Sequence, residues 1–154
     1  MLEIGQKIKD FVLLDAYGQK HQLSSYKGKK IVIYFYPKDD TPGCTTQACA
    51  FRDAYDEFKS RDVVVIGISK DDEKSHQKFI KKYDLPFVLL SDPKAEVATY
   101  FDAYGEKKMY GKTYMGIFRK TFVLDESLNL IHIFEAASPS TNAQEIIEIL
   151  NNLK

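Results

Sequence analysis

The apolar positions divide the chain into short stretches of two kinds, some strand-like and some helix-like. Val12-Leu13-Leu14 runs into Asp15-Ala16-Tyr17-Gly18, a short strand entering a turn. Ile31 to Tyr36 is β-branched and aromatic throughout, without alternation, the pattern of a strand buried on both faces. Pro37 ends it. From Thr45 to Lys59 the residues Ala48, Phe51, Tyr55 and Phe58 recur every three or four positions, which predicts an amphipathic helix. Val63 to Ile68 predicts a second buried strand, and Asp72 to Tyr83 a second helix on a charged surface. A shorter strand, Phe87 to Leu90, precedes a helical stretch from about Pro93 to Phe101. Thr121 to Leu124 and Leu130 to Phe134 flank Asp125-Glu126-Ser127 as the arms of a hairpin or tight turn. A final helix, Asn142 to Leu153, puts Ile146, Ile149, Leu150 and Leu153 on one side. The stretch from Tyr100 to Arg119 fits no element and reads as an irregular, partly packed insertion.

The order is strand, helix, strand, helix, then two strands and a helix. A βαβ unit with a right-handed crossover, followed by a ββα unit, predicts an α/β fold. Its centre is a mixed β-sheet flanked by helices on both faces, the thioredoxin-like arrangement. The length of 154 residues fits one domain spanning 1–154 with a sizeable core. Charge adds an exclusion: 22 basic residues balance 22 acidic ones, so nothing draws the chain to nucleic acid or anionic lipid. No apolar run approaches the ~20 residues of a membrane span. The N-terminal Met1-Leu2-Glu3-Ile4-Gly5-Gln6-Lys7 lacks the basic-then-apolar layout of a signal peptide, so a cytoplasmic location is expected.

Two cysteines are too few for a disulfide-stapled scaffold, and their placement matters more than their number. Cys44 falls where the strand ending at Tyr36 gives way to a helix, and sites in open α/β sheets form at such carboxyl ends. Unpaired backbone N–H groups and the positive end of the helix dipole favour a negatively charged sulfur there. Thr41 can cap the helix start and offer its hydroxyl to the sulfur or to a substrate oxygen. Pro42 suits the first helical turn, and Pro37 is placed to shield the sulfur from water. A free cysteine is commonly a small buried hydrophobe, and that reading weighs more for Cys49, which lies between Ala48 and Ala50. Metal binding is the weaker alternative, because four ligands are normally needed and His21, His76 and His132 show no ligand spacing. Each histidine reads as a surface or packing residue.

Five helical residues give ~7.5 Å of rise, so the Cα atoms of Cys44 and Cys49 would stand roughly 8–9 Å apart. Disulfides rarely exceed ~7 Å between Cα atoms. If the two sulfurs react with each other, the first turns of the helix must unwind.

Phe35-Tyr36-Pro37 followed by Thr41-Pro42-Gly43-Cys44 resembles the Pro-x-x-x-Thr-x-x-Cys signature of the peroxiredoxins. The continuation Thr45-Thr46-Gln47-Ala48-Cys49-Ala50-Phe51-Arg52-Asp53 resembles the branch called bacterioferritin comigratory protein or peroxiredoxin Q. Gly67-Ile68-Ser69, Leu89-Leu90-Ser91-Asp92 and Gly116-Ile117-Phe118-Arg119-Lys120-Thr121-Phe122 are similar as well, so the likeness covers nearly the whole chain. The resemblance implies an atypical two-cysteine thiol peroxidase. Cys44 would be the peroxidatic cysteine, attacking hydrogen peroxide or an organic hydroperoxide, and Cys49 the resolving cysteine of an intramolecular disulfide. Thioredoxin or a similar dithiol protein would reduce that disulfide. Thr41 would orient the peroxide, and Arg119 would stabilise the thiolate and the departing oxygen. Gln47 and Arg52 also match the branch and are left outside the site. The resemblance further implies no metal, flavin or haem, and a monomer.

Other functions leave different marks. A general dithiol/disulfide oxidoreductase on this fold uses Cys-x-x-Cys, and Thr41 occupies the first place of that frame here. A binding module would carry an ordinary thiol at Cys44. Two cysteines that merely pack would make Cys44→Ser and Cys49→Ser equally harmless.

Overall fold

In the computed structural model, which describes residues 1–153, the unalternating run from Ile31 becomes an inner strand of a sheet. The strands follow in chain order as β1 (Val12–Asp15), β2 (Lys20–Gln22), β3 (Lys30–Phe35), β4 (Val63–Ser69) and β5 (Val88–Ser91). They continue as β6 (Tyr104–Met109), β7 (Lys112–Ile117), β8 (Lys120–Leu124) and β9 (Leu130–Phe134). The helices are α1 (Pro42–Asp53), α2 (Tyr55–Ser60), α3 (Glu73–Tyr83), α4 (Glu96–Tyr100) and α5 (Asn142–Asn151). Seven strands form one sheet in the order β2-β1-β5-β4-β3-β8-β9. β3 runs parallel to β4 and antiparallel to β8, and β4 runs parallel to β5, which gives the expected mixed sheet.

Because side chains alternate along a strand, β3 supplies two cores at once. Val32 and Tyr34, with Tyr36 just past the strand's end, face a cluster with Phe51 of α1, Phe58 of α2, Phe79 of α3 and Ile146 of α5. Ile31, Ile33 and Phe35 face the other cluster, closed by Val97 and Ala98 of α4 with Phe101 and Leu23. Helices therefore lie on both faces, as expected, but unevenly. Full burial of each large side chain contributes about 1.5–3 kcal/mol, so this strand alone anchors much of the fold.

Besides adding the edge strand β2, the structure departs from the sequence expectation in several places. The segment Tyr100–Arg119 is not irregular, because residues 104–117 form a separate β6–β7 hairpin. Its turn, Tyr110-Gly111, has positive φ at both residues (52° and 77°), the geometry that suits a two-residue hairpin loop. Most of its side chains are exposed on both faces, so no apolar alternation announces the strands. The helix expected over Thr45–Lys59 is two helices divided at Ala54, whose backbone leaves helical geometry (ψ 2°). The apolar spacing survives the break because Ala48, Phe51 and Phe58 still face one core. The stretch from Pro93 is helical only from Glu96, because Ala95 adopts a left-handed backbone (φ 55°). Finally, α5 buries Ala143, Ile146, Ile147 and Leu150, while Leu153 lies beyond its end and is 43% exposed.

Tyr34 carries a cost within this packing. Its ring stacks on Phe51 beneath α1, with centroids 4.7 Å apart, and its hydroxyl is buried without a hydrogen-bond partner among the described residues. Burial first, and the nearby Cys44 sulfur second, push its phenol well above the usual tyrosine range. Tyr34→Phe is expected to stabilise the protein by about 1 kcal/mol, because it removes an unpaired buried donor and keeps the ring. Urea unfolding checks this; a loss of stability would show that the hydroxyl is satisfied.

Candidate active site

The parallel β3–β4 pair and the antiparallel β3–β8 pair bring two chain segments together at the carboxyl end of β3. Phe35, its last residue, pairs with Lys120. Arg119, one residue earlier, thus arrives at the level where the chain leaves β3 for α1. Thr41 holds the N-cap position of α1, Pro42 is its first residue, and Cys44 is buried at 1% exposure in the first turn.

The Arg119 guanidinium spans α1's inner face. Its Nη2 donates to Cys44 Sγ at 3.5 Å and its Nη1 to Gln47 Oε1 at 2.9 Å. Cys44 and Gln47 are three apart and share one side of the helix, so a single planar fork reaches both. Gln47 is fully buried, and its Nε2 donates to Asn142 Oδ1 at 3.3 Å, which also accepts from Thr121 Oγ1 at 2.8 Å. Arg119 is thereby braced through α1 to α5 and β8. Gly43 leaves room for this arrangement: a Cβ there would stand 2.9 Å from Arg119 Nη2.

The helix start differs from expectation in one detail. Thr41 sits at the N-cap position, but its hydroxyl does not cap the helix; it donates to the Lys38 carbonyl at 2.8 Å. With that proton committed, the Thr41 oxygen is left as an acceptor. The N–H groups of Gly43 and Cys44 receive no cap from it either, which leaves the first turn able to meet a negative oxygen. Pro37, half-buried, stands at the exit of β3. Cys49 lies further along α1, partly buried; both cysteines are free thiols. The geometry thus joins Cys44 to Arg119 and keeps Cys49 apart while α1 is intact.

A second cation lies nearby on the hairpin. Lys107 crosses Gly116, where a Cβ would meet its Cδ at 2.9 Å, and its Nζ donates to the Ile117 carbonyl at 2.9 Å. Burial, and then the Arg119 charge, hold its ammonium below the usual lysine range, with the Cys44 sulfur acting in the opposite sense. A buried sulfur beside a guanidinium, at an uncapped helix N-terminus, is surrounded by groups that favour negative charge.

The matched family model is that of the AhpC/TSA family, over residues 4–133. The chain belongs to the AhpC/TSA family. Among its AhpC/TSA relatives, Peroxiredoxin Bcp of Bacillus subtilis is 45% identical over 152 residues, covering 99% of this chain and 97% of that protein. A putative peroxiredoxin bcp of Coxiella burnetii is 50% identical over 125 residues, 81% of this chain and 83% of the other. Among solved structures, a cysteine-to-serine variant of Xylella fastidiosa PrxQ superposes with a TM-score of 0.93 at 30% identity, covering 98% and 96% of the two chains. The Xanthomonas campestris bacterioferritin comigratory protein gives 0.87 at 34% identity, covering 92% and 90%.

The sequence alone leaves Gln47 of this AhpC/TSA chain outside the site, and the structure puts it in contact with Arg119. Its place three residues after Cys44 was the available signal. The sequence pattern assigns His76 to the surface or to packing; it is fully buried and holds a polar network. Its ring faces Asp39 Oδ2 at 2.7 Å through Nδ1, and the Leu90 carbonyl at 3.1 Å through Nε2.

Proposed function

We propose that this chain is a thiol peroxidase in which Cys44 is oxidised by peroxide and Cys49 resolves the product. The observation that carries the reading is the Arg119 donor 3.5 Å from the Cys44 sulfur, at the first turn of α1. The Cys44 thiolate attacks one oxygen of a hydroperoxide; an S–O bond forms as the O–O bond breaks. Sulfur is oxidised to a sulfenic acid, and the departing alkoxide or hydroxide takes a proton to leave as alcohol or water. Arg119 and the uncapped N–H groups stabilise negative charge as it moves from sulfur to oxygen. The Thr41 oxygen accepts the peroxide O–H and sets its direction, while Pro37 limits water at the sulfur.

The Cys49 thiol then displaces water from the sulfenic acid and forms the Cys44–Cys49 disulfide. Thioredoxin or a similar dithiol protein reduces it by two successive exchanges, ending with its own disulfide. Cys44, Cys49, Thr41, Pro37 and Arg119 all come from one chain, so a monomer suffices. A cytoplasmic setting suits the cycle, since a reducing compartment supplies the dithiol.

Rapid mixing with hydrogen peroxide and an alkyl hydroperoxide tests the reading. Cys44→Ser is expected to abolish turnover. Cys49→Ser is expected to keep the first oxidation at the wild-type rate and to lose the disulfide and recycling by thioredoxin. Wild-type turnover in Cys44→Ser would overturn the assignment.

A further inference from the structure

Helix α3 grips the cysteine-bearing segment at both of its ends. On the near side, Asp39 is 6% exposed and accepts from Tyr36 Oη and from Ser75 Oγ (2.7 Å), while His76 Nδ1 faces it at 2.7 Å. Its backbone N–H donates to Asp71 Oδ2 at 2.8 Å. Asp40 follows, accepting from Lys82 Nζ at 2.9 Å and Tyr83 Oη at 2.8 Å. On the far side, Arg52 Nη1 donates to the Tyr83 carbonyl at 2.8 Å. Tyr83 therefore touches both ends, one through its hydroxyl and the other through its carbonyl.

These contacts differ in strength. The Lys82–Asp40 pair is exposed and contributes little. The Asp39 cluster is buried, and Arg52 puts a cation on a carbonyl that the end of α3 leaves unpaired. None of the Asp39 partners belongs to α1. Unwinding α1 would release Cys44 and Gln47 from Arg119, yet leave the Asp39 cluster whole.

We infer that α3 is a frame bounding the unwinding that lets Cys44 and Cys49 join, with Asp39 and Arg52 as positioning residues that stay on α3. The inference rests on the proposed role of the two cysteines as a disulfide pair. Residues 41–51 lose helix between fixed ends, which brings the sulfurs within bonding distance. On reduction, α1 re-forms between the same ends, and Cys44 returns to Arg119 in register.

Hydrogen exchange followed by mass spectrometry, on the full chain reduced or oxidised with diamide, tests the frame. In the oxidised wild type, residues 41–51 are expected to exchange rapidly, while 36–40, 53–60 and 73–83 keep their reduced-state protection. In oxidised Arg52→Ala, exchange across 53–60 is expected to rise about tenfold, with a much smaller change in the reduced protein. Arg52→Lys is expected to restore protection, because it keeps a cationic donor. Rapid exchange across 53–60 or 73–83 in the oxidised wild type, or no difference in Arg52→Ala, would overturn the frame. Diamide forms the disulfide without peroxide, so a failure of Cys44 to react with peroxide would refute the peroxidase alone.

Discussion

Arg119→Met is expected to slow the oxidation of Cys44 by about 100- to 1,000-fold, the usual loss when a donor aimed at developing oxyanion charge is removed. Methionine keeps an apolar stem in place but removes both arms of the fork. Nη2 no longer reaches Cys44 Sγ, and Nη1 no longer reaches Gln47 Oε1. The second loss leaves a buried acceptor unpaired, so the variant is also expected to be less stable by about 1–3 kcal/mol. Arg119→Lys should recover only part of the rate, because one ammonium cannot serve two partners with the geometry of a planar fork. Single-turnover oxidation at varied peroxide concentration measures the first effect, and urea unfolding measures the second. A wild-type oxidation rate in Arg119→Met would remove this residue from the reaction.

Asp39→Ala is expected to cost at least about 3 kcal/mol of stability, because it strips the shared acceptor from three side chains at about 1–3 kcal/mol for each buried group left unpaired. The change takes one acceptor group from Tyr36 Oη, Ser75 Oγ and His76 Nδ1 together, the tyrosine and histidine contacts being buried and the serine contact partly so. Against a total of about 5–15 kcal/mol for a typical domain, this one carboxylate carries a sizeable share. Equilibrium unfolding in urea is the measurement. A change below about 1 kcal/mol would mean that its partners find other acceptors.

The legible parts of the sequence were those whose contacts are local or repeat with a period. The run from Ile31 announces a buried strand because every residue there is apolar, and the cysteine position follows from the strand-to-helix switch beside it. Arg119 was reached through the family resemblance, since an arginine near a strand start is otherwise unremarkable. The Asp39–His76 contact spans 37 positions and Gln47–Asn142 spans 95, so no local pattern encodes either. The β6–β7 hairpin was missed for the opposite reason: its contacts are local, but its exposed faces need no apolar alternation.

The pairing of Phe35 with Lys120 has a bearing on how such a protein can change over time. Arg119 takes its address from that register, which begins after the hairpin. The Tyr110-Gly111 tip can therefore gain or lose residues and acquire new surface chemistry without moving the guanidinium. A single residue inserted after Arg119 would instead shift its offset from the paired strand, and a one-residue slip turns side chains to the opposite face. Drift is cheap on one side of this arginine and prohibitive on the other.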